Sequence, residues 1–136
     1  MFYNNLNKLA RSQIQNQIAE KRPYYNFINS LKSQETKAEY RKCLLKYLSH
    51  YKIINVDDAS IKIKPKSPKE TEEIIIGNAD KSLDFSLQQS EDMLVDYLMN
   101  LKSQDLSSSY INLNFCAIKH FYFMNDVRIN KEKISK

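Results

Sequence analysis

The chain has few residues that interrupt regular structure. Among its 136 residues there is one glycine and there are three prolines, and this scarcity of breakers, beside abundant Leu, Ile, Lys and Gln, favours helices. No apolar run approaches the roughly 18 residues of a membrane span. The amino terminus lacks the basic, apolar, small-residue order of a secretory signal, so a cytoplasmic protein is expected. Two cysteines, Cys43 and Cys116, sit within helical patterns without metal-ligand spacing, which excludes a disulfide framework and reads both as small buried or half-buried hydrophobes. Two histidines, His50 and His120, have no clustered carboxylates beside them, so a metal centre lacks its ingredients. His120 reads as a surface histidine.

What is present is segregated charge. The net charge is +5, but residues 21 to 52 carry eight basic and two acidic side chains, whereas residues 53 to 106 carry six basic and eleven acidic. Residues 107 to 136 return to five basic and two acidic. Two basic segments flanking an acidic middle point to one face meant for a polyanion, and nucleic acid is the natural candidate. The length suits one domain with a real core.

Periodicity supplies the elements. Leu6, Leu9, Ile14 and Ile18 have loose helical spacing, giving an amino-terminal helical arm over residues 1–22. Pro23 suits the first turn of a following helix, with Phe27, Ile28 and Leu31 as its apolar face. Ser33 is placed to cap a helix over about 34–52, where Tyr40, Leu44, Tyr47, Leu48 and Tyr51 recur at helical spacing. Residues 55–89, with two prolines and the only glycine, lose that period. They predict a long, partly disordered excursion with a brief strand pair around IKIK and EEIII. Ser90, followed by Glu91 and Asp92, predicts the start of a third helix carrying Leu94, Tyr97, Leu98 and Leu101 inward. A fourth helix follows Ser107, with Ile111, Phe115, Ile118 and Tyr122 as its inward stripe. Asn112, Cys116, Lys119 and Phe123 lie roughly 80 to 140° round from that stripe, forming a second, mixed face. The expected architecture is all-α: a small four-helix bundle over residues 23–130 with the arm before it and a linker beginning at 131.

Individual side chains have competing readings. Lys37 and Arg41, one turn apart, share an edge from which both could reach adjacent phosphates, or Arg41 a guanine edge; otherwise they are solvated cations. Lys42 and Lys46 read as a solvated, partly paired face near Glu35 and Glu39. Asn112 has an amide suited to adenine, with Lys119 two turns later on nearly the same stripe. Thr36 either satisfies local backbone or touches DNA. The serine start of the last helix offers hydroxyls and unpaired N–H groups as a cap, a phosphate contact, or both. Tyr110 and Phe123 are either aromatics at a partner surface or ordinary packing.

Two stretches, LKSQETKAEYRKCLLKYL and LSSSYINLNFCAIKHFYFMNDV, resemble the core-binding domain of tyrosine recombinases and phage-type integrases, with a prokaryotic, archaeal or viral tone. The first motif is carried by Leu31, Ser33, Thr36, Tyr40 and Leu44. The second is carried by Leu106, Ser107, Ser109, Ile111, Asn112, Ala117, Ile118, Lys119, Phe121 and Tyr122. The resemblance implies a SAM-like orthogonal bundle that clamps duplex DNA in DNA recombination or integration, with the amino ends of helices 2 and 4 toward the major groove. Thr36, Lys37 and Arg41 would form one contact edge, and Ser108, Ser109, Tyr110, Asn112 and Lys119 the other. Leu113 and Asn114 depart from the family, which often has arginines there. Catalysis in that family needs a tyrosine nucleophile with several cationic donors, and no His-x-x-Arg string occurs here. The expectation is a non-catalytic DNA-binding domain without cofactor, metal or small-molecule substrate, nucleoid-associated, whose other partner is a recombinase catalytic domain or subunit. The alternative is a helical protein-interaction module.

Overall fold

The computed structural model describes residues 2–54 and 68–130, and the side chains among them other than those at 2–9, 17, 68 and 71. These residues are all-α, with no strand among them. Five α-helices succeed one another: α1 (Phe2–Ile28), α2 (Gln34–His50), α3 (Pro68–Asn78), α4 (Leu87–Ser103) and α5 (Ser108–Met124), with a 3-10 helix (Ala79–Asp84) between α3 and α4.

The arm and the first predicted helix are one element. Pro23 lies inside α1 rather than at a helix start, and it marks a sharp change of environment. Every described side chain from Ala10 to Arg22 is exposed, while Pro23, Tyr24, Phe27 and Ile28 are buried. Proline removes a single backbone donor there, and the burial of the next turn holds the helix in place around it. Ser33 caps α2 as its position predicts, its hydroxyl accepting from the Thr36 N–H at 3.4 Å.

The predicted excursion over 55–89 is largely helical where it is described. The EEIII run, read as a strand, belongs to α3; IKIK and the residues around it lie outside the described residues. Pro68 at the first helical position and Glu70 in the first turn favour a helix start. Ile75 and Ala79, four apart, are both fully buried. Packing thus overrides the strand preference of three successive isoleucines. The start of α4 is also corrected: its cap is Ser86, not Ser90. Ser86 and Gln89 form a capping box, the Ser86 hydroxyl accepting from the Gln89 N–H and the Gln89 side chain accepting from the Ser86 N–H. Ser90 and Glu91 are buried within the helix.

The core joins all five helices through Phe27, Leu44, Ile75, Leu94 and Phe121, with Tyr47 and Tyr122 at its centre. Those two hydroxyls meet at 2.8 Å, and burial raises both phenols, that of Tyr47 well above its ordinary range. The inward face of α5 is rotated from the predicted one. Asn114, Ala117 and Phe121 are buried with Ile118 and Tyr122, whereas Ile111 and Phe115 are only half-buried. After α5 the chain turns back onto α4. Ile129 is buried, and the Asn130 N–H donates to the Glu91 carboxylate at 3.4 Å. The predicted linker, 131–136, lies outside the described residues.

Candidate nucleic-acid interface

The site is built on α2 and α5. Around the α2 axis, at about 100° per residue, Thr36, Cys43 and Lys46 fall on one side of Tyr40, and Lys37 and Arg41 on the other. The contacts follow that division. Arg41 Nε donates to the Tyr24 hydroxyl of α1 at 3.0 Å, and its guanidinium lies 3.9 Å from the Glu72 carboxylate of α3. Its side chain is only 16% exposed. Burial raises the Tyr24 phenol to about 12 despite the opposing guanidinium, so Tyr24 stays protonated and accepts from Arg41 through a lone pair. Arg41 is thereby an internal brace between three helices. Lys37, half-buried, shares its flank by register.

The opposite flank faces α5. Lys46 is exposed, and its ammonium donates to the Tyr110 hydroxyl at 2.7 Å while lying 5.0 Å from that ring's centroid. The spacing reads Lys46, with Lys42, as part of a solvated, partly paired face near Glu35 and Glu39; its hydrogen-bond partner comes from 64 positions away. Beside it, Ser107 caps α5 by accepting from the Tyr110 N–H at 3.2 Å, leaving Ser108, Ser109 and Asn112 exposed. Lys46 and the hydroxyls of Ser108, Ser109 and Tyr110 stand at the positive end of the α5 dipole, while Asn112 lies about 160° round the helix from Tyr110, on its outer side.

A second patch lies along α5. Tyr40, Cys116, Lys119, His120 and Phe123 line an open concavity, the mixed face predicted from spacing. Phe123 is 56% exposed and forms its rim rather than part of the core. The Tyr40 ring stacks on Phe27 and meets His120 edge-on at 6.2 Å. His120 is half-buried rather than a surface residue. Its Nε2 lies 2.6 Å from Ser30 Oγ, and that hydroxyl also lies 2.6 Å from the Phe27 carbonyl. The hydroxyl has one proton, which goes to the carbonyl; the imidazole must therefore donate from Nε2. Burial lowers the His120 pKa, so the ring is neutral at pH 7. Lys119 sits 5.9 Å from the Phe115 ring and has no ion-pair partner among the described residues.

The two helix beginnings do not converge as the sequence reading required. Tyr40, near the start of α2, meets the second half of α5, while Lys46, later in α2, meets the first turn of α5. The helices run in opposite senses along their contact. Thr36 lies about ten residues, or roughly 15 Å of helix rise, before Lys46. The eight predicted residues therefore divide three ways: Tyr110 meets Lys46 at the start of α5, with Ser108 and Ser109 beside it in sequence; Lys119 lines the concavity, with Asn112 on the same side of α5 and Thr36 within about 40° of Tyr40 around α2; Lys37 and Arg41 lie on the far flank. Asn114, where the resembled family often has arginine, is fully buried, its amide donating to the Tyr110 carbonyl at 2.9 Å.

No group of His, Cys, Asp or Glu among the described residues could hold a metal ion, and no described helix is long and apolar enough to cross a membrane. No family model, curated protein or solved structure matches the chain. The likeness to integrase core-binding domains rests on its two motifs.

Proposed function

We propose that this protein binds duplex DNA through the α5-facing side of α2 and the outer face of α5, as a non-catalytic domain acting in recombination or integration. The observation that carries the reading is the meeting of Lys46 with Tyr110 in the first turn of α5, where Ser108 and Ser109 are exposed. A cation and three hydroxyls stand at a helix end that already favours a phosphate, and the exposed Asn112 amide lies on the outer side of α5, about 160° round from Tyr110. Lys119 extends the same side of α5. Seven residues from Asn112, it stands about 10 Å along the helix and within about 20° of it in rotation. Phosphate contacts by Lys46, Lys119 and the hydroxyls position the duplex, and Asn112 supplies modest base readout. Arg41 contributes by bracing α2.

Fluorescence anisotropy with a labelled duplex across a salt series tests this. Each neutralised phosphate contributes a slope of about −0.9 in log K against log salt, so two lysine contacts give a slope near −2 or steeper. The double variant K46E/K119E should lose binding while its helical circular dichroism and melting stay unchanged. Salt-independent binding, or unaltered binding by the double variant, rejects the interface.

A second reading has one specific observation in its favour: Phe123 stands exposed beside the Tyr40 concavity. A partner protein, such as a recombinase subunit, would cover it. In that case Phe123→Ser weakens co-sedimentation with the partner and leaves DNA affinity intact.

A further inference from the structure

The amino-terminal part of α1 presents a stripe that is left exposed among the described residues. Ile14 and Ile18 are 55% and 54% exposed and Tyr25 41%. At about 100° per residue these three lie within about 40° of one another around the axis, with Lys21 among them and Arg11 at the edge. The stripe is apolar at its centre and cationic toward its ends, and it runs about 22 Å from residue 10 to residue 25. Most of the rest of this stretch is polar, with Gln13, Gln15, Asn16 and Ser12 beside two alanines, and such a short stretch without tertiary contacts makes a marginal isolated helix. Its helical form calls for a covering surface.

A surface of matching length and opposite charge exists on the same chain. On α4 the outward stripe consists of Gln88, Asp92, Asp96, Met99 and Ser103, again spanning about 22 Å. Met99 is 64% exposed, more than any other large apolar side chain described, and both carboxylates lie on its amino-terminal side. Asp92 and Asp96 are exposed, each held by a hydrogen bond from a neutral donor, Gln88 at 2.9 Å and the Tyr51 hydroxyl at 2.8 Å. Neither is neutralised by a cation among the described residues.

We propose that the α1 arm of one copy docks on the outward face of α4 of a second copy, Ile14 and Ile18 against Met99 and the arm's cations against Asp92 and Asp96. In a reciprocal pair, the four strips of about 22 by 10 Å amount to roughly 900 Å². That is small for a specific interface and sets a weak, concentration-dependent dimer. DNA is the less suitable occupant of the arm, because a phosphate backbone leaves the isoleucines between the cations uncovered.

Sedimentation velocity on the full chain from about 1 to 200 μM, at low and high salt, tests the proposal. The weight-average mass should rise above the monomer's 16.1 kDa with concentration, and less steeply at high salt. I14D/I18D should stay monomeric throughout, as should R11E/K21E alone and D92K/D96K alone. Mixing R11E/K21E with D92K/D96K should restore association, since each arm then again meets a face of opposite charge. A chain that remains monomeric at all concentrations overturns the proposal, as does association that survives I14D/I18D or a charge-reversed mixture that fails to associate. So does a monomeric wild-type chain that pellets with anionic phosphatidylserine vesicles through the arm. DNA affinity of I14D/I18D, measured below 1 μM, should match wild type, so this outcome is separable from that of the proposed interface.

Discussion

The two flanks of α2 carry the same charge and use it differently. On one, Arg41 is 16% exposed and committed to Tyr24 and Glu72; on the other, Lys46 is exposed and donates to Tyr110. A planar guanidinium with several donors can satisfy a buried hydroxyl and a carboxylate at once, whereas a lysine ammonium on a flexible stem stays in water and remains available to an anion. The difference teaches that counting cations along a helix does not locate a binding face. Which neighbour each cation meets decides that.

The sharpest way to break this comparison is to remove Arg41. Arg41→Ala leaves the buried Tyr24 hydroxyl without its donor and should cost about 2 kcal/mol of stability, some thirtyfold in the folded-to-unfolded ratio, by urea denaturation. DNA affinity of the folded variant should move less than threefold. Lys46→Ala is the converse: anisotropy at low salt should show a loss of about fivefold to tenfold in affinity and a salt slope shallower by about one, with stability changed by less than about 0.5 kcal/mol. If both variants lose affinity equally, the flanks are not distinct.

Two smaller effects sharpen it further. His120, on the α5 side, has a folded pKa below its unfolded value near 6.5 because burial disfavours its charged form. The unfolded chain therefore binds more protons as pH falls below 6.5, and stability should decline there until the folded ring also protonates. Denaturation midpoints at pH 5.0 and 7.5 should differ less in His120→Gln than in the wild type. Gly77, near the end of α3 on the Arg41 side, has nothing within 4 Å of where a Cβ would stand. Gly77→Ala should raise stability by about 0.5 kcal/mol in a thermal melt and leave DNA affinity untouched.

Much of the backbone was legible beforehand. The Ser33 cap, the extent of α2, the helical run after Ser107 and the mixed face of Cys116, Lys119 and Phe123 all follow from local spacing. The misread places have local rivals. Ser-Glu-Asp at 90–92 imitates a helix start, while the true signal, Ser86 followed three residues later by Gln89, sits in a stretch that lacks an apolar period. EEIII has the composition of a strand, and only the burial of Ile75 and Ala79 makes it a helix. Pro23 fits a first turn as well as an interior one. The candidate site was less legible because its deciding contacts span large separations: Arg41 to Glu72, Lys46 to Tyr110, Ser30 to His120. No helix period contains that information. One usable sign was present, in that Lys37 and Arg41 lie on the opposite side of Tyr40 from Lys46, so the three could never have faced one partner together.

Glu91 is a buried carboxylate on α4, and the backbone N–H it receives belongs to Asn130, just after Ile129 enters the core. The chain at 129–130 is therefore fastened to α4. Anything joined immediately after that point, whether a reporter dye or a second protein, would inherit the rotation of the helices rather than swing on a loose tether, and its anisotropy decay would follow the tumbling of the whole body.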